Sequence, residues 1–215
     1  MNQATEPEAE FLNGMIELQY GNDVVPKLKE LAKQVPWAHD WPENKESFWN
    51  AEAFMWQHKI ERDVRELIKK KLSEKLTSAE DRKNLDLGCG AFSYVVSTGF
   101  DCSQKMLDFN EYAIEKVKGD LETNLPFKNF TFDSATAIFV LNYVKNVKNL
   151  LKEVRRVIKS GGSFNIVLSG KEVNLWQRQK QVNNFSSKEW IEMFKSAGFI
   201  VSMEIENDLY FFSLF

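Results

Sequence analysis

Residues 84–91 read NLDLGCGA, a short apolar run that contains Asp86 and ends in two glycines separated by one residue. A second run, GFDCSQKML at 99–107, presents an acid at Asp101. In an α/β sheet, glycines after the first strand let the backbone approach a ligand, and an acid at the tip of the next strand accepts hydrogen bonds from ribose hydroxyls. The two stretches together therefore predict a nucleotide-type ligand site at the ends of two neighbouring strands.

The composition of the 215-residue chain limits its fold and function. A hydrophobic content of 43% supports a well-packed core, and a net charge of −3 gives no basic excess for binding nucleic acid. The longest apolar runs, such as 137–144, fall short of the ~20 residues that cross a bilayer, and residues 1–10 show no leader pattern. We therefore expect a cytoplasmic monomer or homodimer that uses neither nucleic acid nor membrane as a partner.

The chain divides into a helical N-terminal extension, residues 1–82, and a core, residues 83–215, in which short strands alternate with helices. Apolar residues recur at three- and four-residue steps from Ile60 to Leu76, which predicts a long amphipathic helix over 53–75. Further helices are predicted at 147–158, ended by Gly161-Gly162, and at 187–197. Strands are predicted at 84–87, 94–100, 114–118, 135–141, 163–168, 199–206 and 209–214, the last two as an antiparallel hairpin.

Six ordered segments over about 84–205 resemble the class I S-adenosylmethionine-dependent methyltransferases. They are LDLGCG, FDCSQKML, GDLETNLPF, FDSATAIFVLNYV, LLKEVRRVIKSGG and SSKEWIEMFKSAGF. The resemblance implies a Rossmann-like, seven-stranded methyltransferase sheet of the α/β class with a C-terminal antiparallel hairpin. It also implies S-adenosyl-L-methionine as cofactor and methyl transfer to a small-molecule acceptor.

The resemblance further implies roles for individual positions. Asp101 would bind the ribose hydroxyls, with Cys102 and Met106 beside the adenine. Asp120 would accept from the adenine amino group, with Leu121 stacking nearby. The loop facing the methionine end of the cofactor would comprise Asp86, Gly88, Cys89, Gly90 and Ala91.

Other positions would contact the acceptor. Asn142 and Tyr143, at the end of the fourth strand, would border the methyl group and the acceptor. The segment FWNAEAFMW at 48–56 is similar to a helix that covers the cofactor in this family, so Trp49 and Trp56 are candidates for an acceptor pocket. Packing within such a cover is the simpler interpretation of these tryptophans.

The sequence departs from the family pattern after the glycines. Phe92 stands where the family carries a third glycine, and 13 positions separate Gly88 from Asp101, too few for the usual crossover helix. One face of the sheet would then lack its helical cover. We hypothesise that the predicted helix at 53–75 packs there instead.

Simpler interpretations of the site residues stay open. The LDLGCG loop could be a tight turn that binds no ligand, and Asp101 could merely cap the following helix. Asp120 could be an ordinary turn residue, and Asn142 and Tyr143 could be ordinary end-of-strand residues. A catalytic thiol at Cys89 is not expected, and the two histidines, His39 and His58, show no metal-ligand spacing, so no metal site is predicted.

Three classes of function remain, and no catalytic residue is assigned. The sequence favours a methyltransferase that works mainly by aligning acceptor and methyl group. The alternative is a non-catalytic methyltransferase-like partner or regulatory protein with weak or no cofactor binding, which Phe92 and the shortened crossover would suit. A nicotinamide-dependent oxidoreductase is disfavoured, because the third glycine and the helix that would hold a pyrophosphate are missing.

Overall fold

The computed structural model describes residues 6–76, 83–171, 178 and 180–215. Helices from the N-terminal part enclose a small aromatic core that contains Phe11, Trp41 and Phe48. Four helix starts, three of them in the second part of the chain, are capped by the side chains of Asn44, Ser103, Asn146 and Ser186. The helices are α1 (Glu6–Gln19), α2 (Val25–Ala32), α3 (Lys45–Ala53), α4 (Trp56–Lys59), α5 (Arg62–Lys75), α6 (Gln104–Phe109), α7 (Val147–Val157) and α8 (Ser187–Ser196).

Seven strands form one sheet in the order β3-β2-β1-β4-β5-β7-β6, which confirms the predicted seven-stranded α/β architecture. The first five strands run parallel, and β7 lies antiparallel between β5 and β6. Asn207 and Asp208 have positive φ angles of 50° and 60°, so the predicted C-terminal hairpin closes through a left-handed turn. The strands are β1 (Asn84–Leu87), β2 (Ser97–Asp101), β3 (Ala113–Lys118), β4 (Phe132–Ile138), β5 (Ile158–Ser169), β6 (Val201–Glu206) and β7 (Leu209–Leu214).

Helix α5 covers the sheet face that the shortened crossover leaves open. Ile68 and Leu72 are buried against Ile138, Val167 and the β7 side chains that point to this face. Helices α7 and α8 cover the opposite face, where the alternate β7 side chains pack. The hypothesis that the N-terminal helix replaces the missing crossover helix is thus confirmed.

Several predicted element bounds were wrong. The helix predicted over 53–75 is interrupted, because Ile60 takes an extended conformation and α5 begins only at Arg62. Strand β4 ends at Ile138, since Phe139 has a φ of 56°, and Asn142 lies in a 3₁₀ turn beyond the strand. The predicted strand over 94–100 begins only at residue 97.

The glycine pair at 161–162 does not end a helix. Helix α7 stops at Val157, and β5 begins at the next residue. Gly161 and Gly162 lie within β5, where the pairing with β4 shifts register. A left-handed φ of 77° at Gly161 is available to glycine without steric cost, so the pair forms an irregularity in the strand.

Candidate functional site

The glycine loop follows β1 directly and has left-handed backbone at Gly88 (φ 60°) and Gly90 (φ 59°). The amide of Gly88 donates to the Phe100 carbonyl at 2.7 Å, which ties the loop to β2. A Cβ atom at Gly88 would collide with Val140, and one at Gly90 would lie 2.9 Å from the Trp56 indole nitrogen. Only glycine fits these two positions without displacing a neighbour.

Replacing Gly88 with alanine is expected to destabilise the protein more than the same change at Gly21. Gly21 has a φ of 86° but no atom within 4 Å of an added Cβ, so its substitution carries backbone strain of about 1 kcal/mol alone. Gly88→Ala adds the collision with Val140, for a total loss of about 2–4 kcal/mol. Urea denaturation of both variants measures the difference, and equal losses would contradict the close contact.

Asp101 ends β2 and is 8% exposed. Its Oδ2 accepts from the Gly90 amide and its Oδ1 from the Ser103 amide, both at 2.9 Å. Burial raises the pKa of this carboxyl, and the two amides partly offset the rise. Asp101 thus connects the glycine loop to the start of α6, while Ser103 is the residue that caps that helix.

Asp86 lies deeper, in the buried polar network between β1 and β4. Its Oδ1 accepts from the Thr136 hydroxyl at 2.8 Å, and Thr136 in turn accepts from Asn84. Burial raises the pKa of Asp86 from its ordinary value of 3.8 to about 6, and the hydrogen bonds with Ser93 and Thr136 only partly offset this. Its carboxyl lines a small cavity under the glycine loop rather than the main cleft.

The raised pKa of Asp86 makes the stability of the protein depend on pH. Because the folded pKa lies above the unfolded one, folding disfavours the ionised form; this penalty is absent below about pH 4 and complete above about pH 6. Relative to wild type, the Asp86→Asn variant should therefore gain up to ~3 kcal/mol of unfolding free energy between these pH values.

Denaturant titrations at several pH values measure this gain, with Asp108→Asn on exposed α6 as the matched control. The difference in unfolding free energy between Asp108→Asn and wild type should not change with pH. A flat difference for Asp86→Asn as well would show that the buried carboxyl is not responsible.

A cleft with about 600 Å³ of empty space, part of it open to solvent, lies at the carboxyl ends of the parallel strands. This is the edge of an open α/β sheet at which ligands bind. The structure brings together ten predicted residues around it: Gly88, Gly90, Asp101, Cys102, Met106, Asp120, Leu121, Tyr143, Trp49 and Trp56. Asp86 and Cys89 instead line the small cavity beneath, Ala91 is buried against Met106, and Asn142 lines a second, adjoining cavity.

Lys45 was missed by the sequence reasoning and lies directly in this cleft. Its Nζ contacts both carboxylate oxygens of Asp120, at 2.7 and 2.8 Å. Burial alone would raise the pKa of Asp120, but the hydrogen bonds from Lys45 and from the Glu122 amide outweigh it, so the pKa is lowered. The residues are 75 positions apart, and no local pattern could have paired them.

Helix α3 is held over the cleft by more than this ion pair. The buried Asn50 side chain accepts from the Ser103 hydroxyl at 2.7 Å, and its amide donates to the Trp37 carbonyl. Glu46, next to Lys45, forms a second ion pair with Lys118 at 2.6 Å. The segment predicted to cover the ligand is thus joined to β3 and α6.

Three aromatic rings converge on one side of the cleft. The Trp49 ring meets Trp56 edge-on with centroids 6.1 Å apart and Tyr143 edge-on at 4.9 Å. Burial raises the pKa of Tyr143 to about 12, so its phenol is protonated at neutral pH. Both cysteines have a thiol whose pKa is raised by burial, as expected for residues that are not nucleophiles.

Comparison with known proteins was consistent with this geometry. Residues 85–166 match the family model described as a methyltransferase domain. The chain is 33% identical over 111 residues to a sterol 4-C-methyltransferase from Caenorhabditis elegans, covering 43% of this chain and 33% of that protein. It is 31% identical over 123 residues to a demethylmenaquinone methyltransferase from Staphylococcus epidermidis, covering 49% and 48%. The chain therefore spans less than half the length of both curated relatives.

Solved structures share the fold at low identity. A Haloferax volcanii methyltransferase in complex with the methyltransferase activator Trm112 superposes with a TM-score of 0.64 at 18% identity, covering 77% of this chain and 96% of that chain. An S-adenosylmethionine-dependent methyltransferase from Aquifex aeolicus gives a TM-score of 0.57 at 16% identity, covering 75% and 95%. Together with the match of residues 85–166 to the methyltransferase-domain model, these results confirm that the chain resembles the class I S-adenosylmethionine-dependent methyltransferases and shares their fold.

Within the described part of the chain, no helix has the length and apolar character of a membrane span. The same residues contain no cluster of three or more histidine, cysteine, aspartate or glutamate side chains arranged to hold a metal ion.

Proposed function

We propose that this protein transfers the methyl group of S-adenosylmethionine to a small-molecule acceptor. The observation that carries the proposal is the cleft itself. It combines a left-handed glycine loop, the carboxylate of Asp101 and a covering helix at the ligand-binding edge of a methyltransferase sheet.

The residues of the cleft fit the cofactor. Gly88 and Gly90 line the cleft without a side chain, so their backbone is accessible to a ligand there. Asp101, at the tip of β2, would take the ribose hydroxyls with its remaining acceptor positions, and Asp120 would take the adenine amino group in competition with Lys45. The lining carries three carboxyl groups, Asp101, Asp120 and Glu122, against one cation, Lys45, and this acidic excess suits a ligand that carries an ammonium and a sulfonium.

Bound S-adenosylmethionine supplies an activated methyl group: the acceptor atom bonds to the methyl carbon while the carbon–sulfur bond breaks, its electron pair stays on sulfur, and the acceptor proton is released. The protein then has to align the acceptor and exclude water. Trp49 and Trp56 suit the second role, because they close one side of the cleft. Tyr143 is no base at neutral pH, since its pKa is raised, so we assign no general base.

The N-terminal extension takes two roles in this proposal. The part that contains α3 acts as a lid that joins the cleft through Lys45 and Asn50. Helix α5 replaces the crossover helix of the core. The predicted boundary between residues 82 and 83 adjoins residues 77–82, which lie outside the described residues.

The non-catalytic alternative loses its main support in this structure. Phe92 packs among Tyr94 and Tyr112, and the Arg65 guanidinium lies 5.9 Å from its ring centroid. The residue that replaces the third glycine is therefore part of the contact between the shortened loop and α5. The loop is short, but Phe92 packs it against Tyr94 and against Arg65 of α5.

Calorimetric titration of the full chain with S-adenosylmethionine and S-adenosylhomocysteine tests the proposal. Micromolar affinity for both is the expected result. Absence of binding at millimolar ligand would overturn it. Binding of both without methyl transfer to any of a broad set of acceptors would instead favour the non-catalytic alternative.

A further inference from the structure

A second cavity adjoins the cofactor cleft, with about 1540 Å³ of empty space that includes open solvent. We call it the outer cavity. It lies between α5, the end of β5 and the 3₁₀ turn after β4. Trp56, Phe139 and Tyr143 line both cavities, so they form a shared wall between the two spaces.

The shared wall is aromatic and held in place. Phe139 has a left-handed backbone, which is strained for a bulky residue, and its amide donates to the Val167 carbonyl at 2.8 Å. Trp49 packs edge-on against both Trp56 and Tyr143. The side chain of Gln181 hydrogen-bonds Tyr143 from the outer cavity. The rings of Trp56, Phe139 and Tyr143 thus lie where a ligand in the outer cavity would meet a ligand in the cleft.

The charges around the outer cavity are largely compensated within the protein. Lys59 forms an ion pair with the buried Glu52, and Lys171 pairs with Asp208 at 3.0 Å. Among the described residues that line the cavity, both lysines are therefore neutralised, and Glu61 adds a negative charge. The other polar lining consists of the Ser169 side chain and four side-chain amides: Gln19, Asn142, Gln181 and Asn207.

We propose that the outer cavity binds the methyl acceptor and that this acceptor is an uncharged molecule with a flat ring. This inference rests on the proposed function. An anion would lose hydration without gaining an uncompensated cation among the described lining residues. A cation would lie close to the positive sulfonium. An uncharged ring stacks on the aromatic wall, and its hydroxyl or carbonyl group finds the amides of Asn142 and Gln181.

Two matched probes test the proposal on full-length protein saturated with S-adenosylhomocysteine. Naphthol is uncharged at neutral pH, whereas naphthoate carries a carboxylate on the same ring. Calorimetry should show saturable naphthol binding and at least about tenfold weaker naphthoate binding. Equal or tighter binding of naphthoate, or no naphthol binding at millimolar concentration, would overturn the inference.

The location is tested by filling the outer cavity. Val64 lines it from α5 but does not line the cofactor cleft, so Val64→Trp should weaken naphthol binding at least about tenfold and leave S-adenosylhomocysteine binding unchanged. Lys70→Trp places the same side chain on the exposed face of α5 and should change neither affinity. Unchanged naphthol binding in Val64→Trp would place the probe elsewhere and refute the site.

Two controls keep the outcomes separate. If Val64→Trp fails to fold by circular dichroism, Val64→Phe supplies a smaller obstruction with the same expected direction. Cofactor binding is measured independently in every variant. A wild-type protein that binds naphthol but neither cofactor form would refute the proposed function, while intact cofactor binding without naphthol binding would refute only the acceptor class.

Discussion

Replacing Asp101 with alanine is expected to weaken S-adenosylmethionine binding about 100-fold or more. The variant would lack the charge-assisted hydrogen bonds between the Asp101 carboxylate and the ribose, each worth about 1.5–3 kcal/mol. The substitution also removes the acceptor of the Gly90 and Ser103 amides, both 2.9 Å from it in the folded protein. The glycine loop would then lose its link to α6. Calorimetric titration with the cofactor measures the loss.

Two further variants separate the effect of the Asp101 carboxylate on cofactor binding from its effect on folding. Asp108→Ala makes the same chemical change on the exposed face of α6 and should leave the affinity within about twofold of wild type. Asp101→Asn keeps the shape and one acceptor oxygen. Because both oxygens of Asp101 accept from backbone amides, the asparagine NH₂ group would face one of these N–H donors. The free energy of unfolding of each variant is therefore measured beside its affinity, so that loss of binding is separated from loss of folding. Unchanged affinity in both Asp101 variants would show that the cofactor is held elsewhere.

The sequence predicted those parts of the site that depend on local chain geometry. The glycines at 88 and 90 follow a strand, and Asp101 ends the next strand, so neighbouring parallel pairing alone brings them together. The capping box of Ser186 and Glu189 and the hairpin turn at Asn207 were also predictable, because the interactions span few residues. In each case the relevant contacts lie within one supersecondary unit.

The remaining parts depend on contacts between segments far apart in the chain. Lys45 reaches Asp120 only because α3 crosses the cleft, and the sequence around Lys45 resembles any charged first turn of a helix. The extended backbone at Ile60 interrupts an otherwise continuous apolar periodicity, so the periodicity alone predicted one helix. Phe139 is another such case, since a left-handed phenylalanine has no sequence signature. Tertiary packing overrides local preference at these positions.

Ile68→Ala is expected to lower the free energy of unfolding by about 2–5 kcal/mol, the largest stability effect that we predict for a single change in α5. Ile68 is fully buried in the cluster that joins α5 to Tyr94, Val167 and Phe211. Truncation removes three methyl or methylene groups and leaves a cavity against the sheet, where rigid strands limit collapse. Lys70→Ala, two residues further along the exposed face, should stay within about 0.5 kcal/mol of wild type. Urea denaturation of both variants measures the contrast.

The form of this transition also tests which part of the chain α5 belongs to. If α5 is an integral cover of the sheet, tryptophan fluorescence and circular dichroism should follow one coincident transition, shifted as a whole in Ile68→Ala. If α5 is a detachable part of the lid, a small early transition should separate from the main one, and only the early one should shift. The first result is expected, because no other helix among the described residues packs into the cluster around Val167 and Phe211. If α5 detaches, the sheet face beside the shortened crossover is left uncovered. The structural argument for an intact cofactor site is then weaker.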